Sequence, residues 1–78
     1  MQEDEQRSLR IEKITFSNRW VTTRVRNVLA QQGIHTLSEL LERTEEDLWG
    51  MPNMGLISIT NIKVKLESMG LSLKNSGW

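Results

Sequence analysis

The chain is expected to fold as an all-α domain, four to five short helices packed compactly around one core. Three features predict this. Apolar residues recur at intervals of three and four in two stretches, Val21 to Leu29 and Ile59 to Met69. Two Thr residues, Thr36 and Thr44, each stand three positions ahead of an acidic residue, the spacing of a capped helix start. No segment alternates with period two for long enough to suggest a sheet.

The elements follow in order. Residues 1–10 lack apolar periodicity and are expected to form a flexible N-terminal segment. Residues 11–73 form the single helical domain, and 74–78 a C-terminal tail. Ile11, Ile14 and Phe16 make a short apolar patch that can pack back on the core. Ser17 and Thr22 are rival N-caps for the first helix, whose buried face is Val21, Val25, Val28 and Leu29 and whose stop is Gly33. Thr36 caps a second helix with Glu39 reaching back, and Leu37, Leu40 and Leu41 face inward. Thr44 opens a third, where Glu45, Glu46 and Asp47 suit the positive end of the helix dipole. Leu48 and Met51 turn inward there, Trp49 takes either the core or the surface, and Pro52 ends the helix. The last helix starts between Gly55 and Ser58 and buries Ile59, Ile62, Leu66 and Met69. Gly70 is its C-cap, with Leu71 and Leu73 folding back.

Composition narrows the function. There is no cysteine, so no disulfide and no thiolate metal site, and the lone His35 cannot hold zinc by itself. No nucleophile–base pair, metal cluster or cofactor loop is visible, so neither catalysis nor a cofactor is expected. No apolar run has the length of a membrane span, and the polar, acidic start is not a secretory signal, so a cytoplasmic protein is expected. Ten basic and ten acidic side chains cancel, which argues against tight, sequence-independent DNA binding but leaves room for a local basic patch.

The corner Pro52-Asn53-Met54-Gly55 lies directly before a helix N-terminus, where unpaired backbone N–H groups and the dipole favour a phosphate. Arg24, Asn27 and Gln31 share a stripe opposite the valines of the first helix. Brought together with Asn53, Gly55, Ser58 and Asn61, that stripe would form a locally positive polar surface suited to phosphates and a narrow minor groove. Each residue also has a plainer reading. Arg24 can be a solvated helix arginine, Gly55 can serve a turn that needs positive φ, and Asn53 can cap that turn. Trp49 and Trp78 can stack on bases, although packing is the commoner use of such residues.

The ordered series V-T-x-R-x-x-N-x-L from Val21 to Leu29, then GIHTLSEL, RTEEDL, MPNMG and the ending at Leu73 resembles the C-terminal domain of the bacterial RNA polymerase alpha subunit. The resemblance implies a compact four-helix fold with a helix-hairpin-helix unit. It also implies weak binding to A/T-rich minor groove, with RNA polymerase, sigma factor or a transcription regulator as protein partners. By position, the family's minor-groove arginine falls on Arg24 and its neighbouring asparagine on Asn27. The glycine that approaches phosphate falls on Gly55 and the helix serine on Ser58. The sequence departs from the family where two basic residues usually follow that glycine, since Leu56 and Ile57 stand there. A family glutamate falls on Asn61 and the sigma-facing acidic position on Trp20. Losing a cation removes a salt-dependent phosphate contact, and exposed apolar groups in its place favour a protein partner.

Three functions therefore compete. The first is a DNA-associated transcription module. The second is a module of the same fold that uses Trp20, Leu56 and Ile57 to hold a transcription protein without DNA. The third is a sterile-alpha-motif-like self-association domain, which the R-x-x-N stripe and the Pro-Asn-x-Gly corner fit less well. The short length implies an excised domain or a free-standing relative, and the altered surface favours the latter, from a bacterium or a phage.

Overall fold

A computed structural model describes residues 6–74. Residues 1–5 of the expected flexible segment and 75–78 of the expected tail, Trp78 among them, lie outside the described residues. Among the described residues the order is a 3-10 turn, Ile11–Lys13, then α1, Arg19–Gln31, α2, Leu37–Leu41, α3, Glu45–Trp49, and α4, Leu56–Ser68. The all-α architecture is as the periodicity indicates, and no strand occurs among the described residues, only an isolated bridge between Arg10 and Thr36.

Local chemistry sets each helix start. Neither Ser17 nor Thr22 caps α1. Asn18 does, its Oδ1 accepting the Val21 N–H at 2.9 Å. Thr22 lies one turn inside the helix and is buried, and its Oγ1 accepts the Phe16 N–H at 2.8 Å, fastening the incoming segment. A hydroxyl satisfied in this way meets a buried donor that would otherwise have no partner. Thr36 and Thr44 form reciprocal capping boxes with Glu39 and Asp47. Helix α3 stops at Trp49, three residues ahead of Pro52, because the residue before a proline avoids helical backbone and the backbone turns beforehand.

The stops of the two long helices share one device. After α1, the Ile34 N–H reaches the Leu29 carbonyl at 2.8 Å and the Gly33 N–H the Ala30 carbonyl at 3.1 Å. After α4, Leu71 reaches Leu66 at 2.8 Å and Gly70 reaches Glu67 at 3.0 Å. Both glycines sit at φ 75°, the left-handed geometry this cap requires. Gly33→Ala is expected to lower stability by about 1–2 kcal/mol, since nothing crowds the site and only backbone strain acts. A urea midpoint equal to wild type would refute that.

Helix α4 packs across α1 and α3, and the core forms where they meet. Val25, Leu29, Ile34, Leu37, Leu40, Leu48, Ile59 and Ile62 are essentially sealed from solvent. The 3-10 turn contributes Ile11 and the loops Ile14, Met51 and Met54, while Leu9, Phe16, Met69, Leu71 and Leu73 pack at the margin. The N-terminal segment crosses the α1–α2 loop, where Ile11 donates to the His35 carbonyl at 2.9 Å and Leu37 to the Leu9 carbonyl at 2.8 Å. Arg26 adds a bond from Nη2 to the Ile14 carbonyl at 3.1 Å. Lys63 and Glu45 bridge α4 and α3 at 2.7 Å, but both are half-exposed, so the pair adds little stability.

The capping carboxylates give stability a pH dependence of known sign. Glu39 accepts the His35 and Thr36 N–H groups at 2.9 Å each, which holds its carboxyl below the ordinary value of 4.5. Asp47 is held below 3.8 by the Thr44 N–H at 2.9 Å. Folding lowers both values, so their contribution is complete above the unfolded pKa and is lost as pH falls through the folded one. The thermal midpoint is therefore expected to drop below about pH 4.5, near the ordinary glutamate value. Glu39→Gln keeps an acceptor but cannot titrate, so it should shallow the drop. An unchanged profile in that variant would sink this account.

Candidate nucleic-acid interface

Two sequence-distant pieces meet on one face. Arg24, Asn27 and Gln31 lie along the exposed side of α1, and Asn53 projects from the turn between α3 and α4. All four line one open groove of about 690 Å³. A second recess, about 330 Å³, is lined by Trp20, Arg24, Gly55, Ile57 and Ser58. Arg24 and Trp20 belong to both, so the recesses form one continuous face.

The turn that builds this face has one strained residue, and it is not the glycine. Asn53 has φ 67°, a left-handed conformation that asparagine tolerates better than most side chains. Gly55 is extended, with φ −114° and ψ −176°, and acts as the N-cap of α4. The positive-φ reading of Gly55 is therefore corrected: the turn places that demand two residues earlier. A Cβ at Gly55 would meet nothing within 4 Å, so internal packing does not require glycine either.

Helix α4 also starts differently from its neighbours. Asn18, Thr36 and Thr44 place a side-chain oxygen on the N-termini of α1, α2 and α3. Gly55 places none on α4, and no acidic residue lies in its first turn. Its first amide N–H groups keep their free donors and the positive end of the dipole. Among the described residues no carboxylate lines either recess, whereas Arg19 and Arg24 both line the larger one. A neutral molecule thus presents a locally positive face.

Not every expected residue joins it. Ser58 lines the smaller recess but is 4% exposed, so its hydroxyl sits low in that recess. Asn61 lies elsewhere. Its Nδ2 donates to the Ile57 carbonyl at 2.8 Å, and it lines a separate shallow groove with Phe16 and Val64. Trp20, Ile57 and Leu56 are 83%, 69% and 66% exposed, so burial does not account for their apolar character. Leu56 lines neither recess. Trp49 takes the surface, its Nε1 donating to Glu45 at 3.3 Å. Sequence reasoning passed over Arg19 and Thr23, which line the larger groove. Arg19, Thr23 and Asn27 recur every four positions along α1, and that spacing was the signal that could have found them.

These features define a small helical domain with a helix-hairpin-helix pair, α3 and α4, set against a polar helix face. The model of the family described as the C terminal domain of the bacterial RNA polymerase alpha chain matches residues 1–68, and this protein belongs to that family. It is 48% identical over 56 residues to a DNA-directed RNA polymerase subunit alpha of Bifidobacterium longum (strain NCC 2705). It is 50% identical over 56 residues to one of Nocardioides sp. (strain ATCC BAA-499 / JS614). In each case the match covers 72% of this chain and 17% of the relative, so the chain spans a small part of those subunits. The family makes this a transcription-related domain. Among the described residues no helix is long and apolar enough to cross a membrane.

Proposed function

We propose that the protein is a DNA-associated transcription module that binds A/T-rich minor groove weakly and works beside RNA polymerase, sigma factor or a regulator. The observation that carries this reading is the joining of Arg24, Asn27 and Asn53 in one groove, next to the uncapped N-terminus of α4. In it, Arg24 enters the groove where the negative potential is strongest, and the amides at Gly55 receive a phosphate. The site binds without catalysis or cofactor, and its place is the cytoplasm of a bacterium or of a phage-infected host.

The charge on the face sets the strength. Arg19 and Arg24 are the cations that line it. Two phosphate contacts give a log–log salt slope of roughly −1.8, about a tenfold loss between 50 and 200 mM salt. A full specific site with six to ten contacts would lose about 10³–10⁵ over the same range. The test is titration of labelled protein with an A/T-rich duplex at low salt. Arg24, Asn27 and the Asn53–Ser58 amides should be perturbed, and Arg24→Ala should weaken binding by about 1–3 kcal/mol. No perturbation in the wild type would end the DNA reading.

A second reading rests on a separate observation, the exposure of Trp20, Leu56 and Ile57. In it the same face holds a polymerase subunit, sigma factor or regulator without DNA. Binding of purified RNA polymerase that Ile57→Glu does not weaken would remove it.

A further inference from the structure

We propose that the face shared by the two recesses docks an acidic amphipathic segment of a partner protein. Its apolar side lies on Trp20 and Ile57, and its carboxylates lie on Arg19 and Arg24. This rests on the protein-contact reading above and gives that partner a chemistry.

Two independent properties of the face select it. The first is apolar exposure. Isolated surface hydrophobes such as Val64 are ordinary, but Trp20, Leu56 and Ile57 are the three most exposed large hydrophobes among the described residues and gather at the N-terminal ends of α1 and α4. Trp20 and Ile57 line the same recess, so an apolar side chain can touch both at once.

The second property is charge. Acidic and basic groups are equal in number, yet among the described residues no acid lines either recess of this face. Three of them crowd the first turn of α3, and none lies in the first turn of α1 or α4. Two arginines and an uncapped helix N-terminus remain, and together they repel a basic segment and attract an acidic one. A duplex would meet the cations but leave Trp20 and Ile57 against a charged backbone. A purely apolar segment would leave the arginines without partners. A helix with leucines at i, i+3, i+4 and i+7 flanked by glutamates satisfies both, its leucines against Trp20 and Ile57 in the smaller recess and its glutamates toward Arg19 and Arg24 in the larger groove.

The experiment uses the full chain with Trp49→Phe and Trp78→Phe, so that Trp20 is the only fluorophore of its kind. The probe is a synthetic leucine–glutamate amphipathic peptide, with a counterpart carrying lysine at every glutamate. The acidic peptide should shift Trp20 emission to the blue and saturate, and the lysine peptide should bind at least about tenfold more weakly. Ile57→Glu and Arg24→Ala, each checked for retained helicity, should each weaken the acidic peptide by about tenfold or more. Several outcomes overturn the proposal: no saturable shift, equal binding of the lysine peptide, or a shift indifferent to Ile57→Glu. A blue shift on concentrating the protein alone, with dimers in sedimentation, would assign the face to a second copy and overturn it too. RNA polymerase that binds in an Ile57→Glu-sensitive way while the acidic peptide does not would leave the protein-contact reading standing and reject the acidic chemistry. An A/T-rich duplex titrated alone reads the DNA proposal separately.

Discussion

Leu29→Ala is expected to cost about 2–5 kcal/mol of folding stability, the range for emptying a sealed leucine site. Leu29 is 0% exposed, lies on the inner face of α1, and its carbonyl takes the Ile34 N–H that closes the helix. Its removal therefore opens a cavity where α1 and the start of the α1–α2 loop both contribute. The domain has little to lose. At about 0.05–0.15 kcal/mol per residue, a domain this short holds roughly 4–12 kcal/mol. The variant should be partly unfolded at 37 °C and show a strongly lowered urea midpoint by circular dichroism. Val64→Ala is the control, because Val64 is 59% exposed, and it should stay within about 0.5 kcal/mol of wild type. A Leu29→Ala loss below about 1 kcal/mol would mean the site collapses freely and the packing described is wrong.

The second large effect separates fold from binding at one atom. Gly55→Asp should leave stability unchanged or raise it by a few tenths of a kcal/mol, because aspartate is a better N-cap than glycine and suits the dipole. The space beside the Gly55 α-carbon is open, so the new side chain meets no clash. The same carboxylate would stand where a phosphate is proposed to approach. Two like charges about 4 Å apart repel by about 1–4 kcal/mol between bulk water and a protein surface, so duplex affinity should fall about tenfold or more. Stability and binding then move in opposite directions, which no general damage to the fold can imitate. Unchanged duplex affinity in Gly55→Asp would remove the α4 N-terminus from the proposed DNA contact.

Much of this molecule is legible residue by residue. The valines of α1 and the isoleucines of α4 mark their buried faces by spacing alone. The Thr36 and Thr44 boxes announce their helices, because a capping box is a local hydrogen-bond pattern with a fixed offset. The ordered series from Val21 to Leu73 points to the polymerase alpha C-terminal domain family, and the family match agrees. Where expectation and structure part, a tertiary partner decided. Asn18 caps α1, while Thr22 instead accepts the Phe16 N–H, a contact set by how the preceding segment folds back. Asn61 shares a helix with Ser58 yet looks onto another groove, because the register of α4 against α1 fixes which side of that helix meets Arg24.

The helices, most of their caps and stops, most of the core and the family follow from the order of residues. They depend on interactions spanning three or four positions, and such interactions are written locally. Folding in three dimensions was needed to bring Arg24 and Asn27 to Asn53, to leave Gly55 extended and open rather than strained, and to set Trp20 and Ile57 in one recess. Those relations join positions about thirty residues apart. They are fixed by the way the sealed core residues of α1, α3 and α4 pack, which no local spacing encodes.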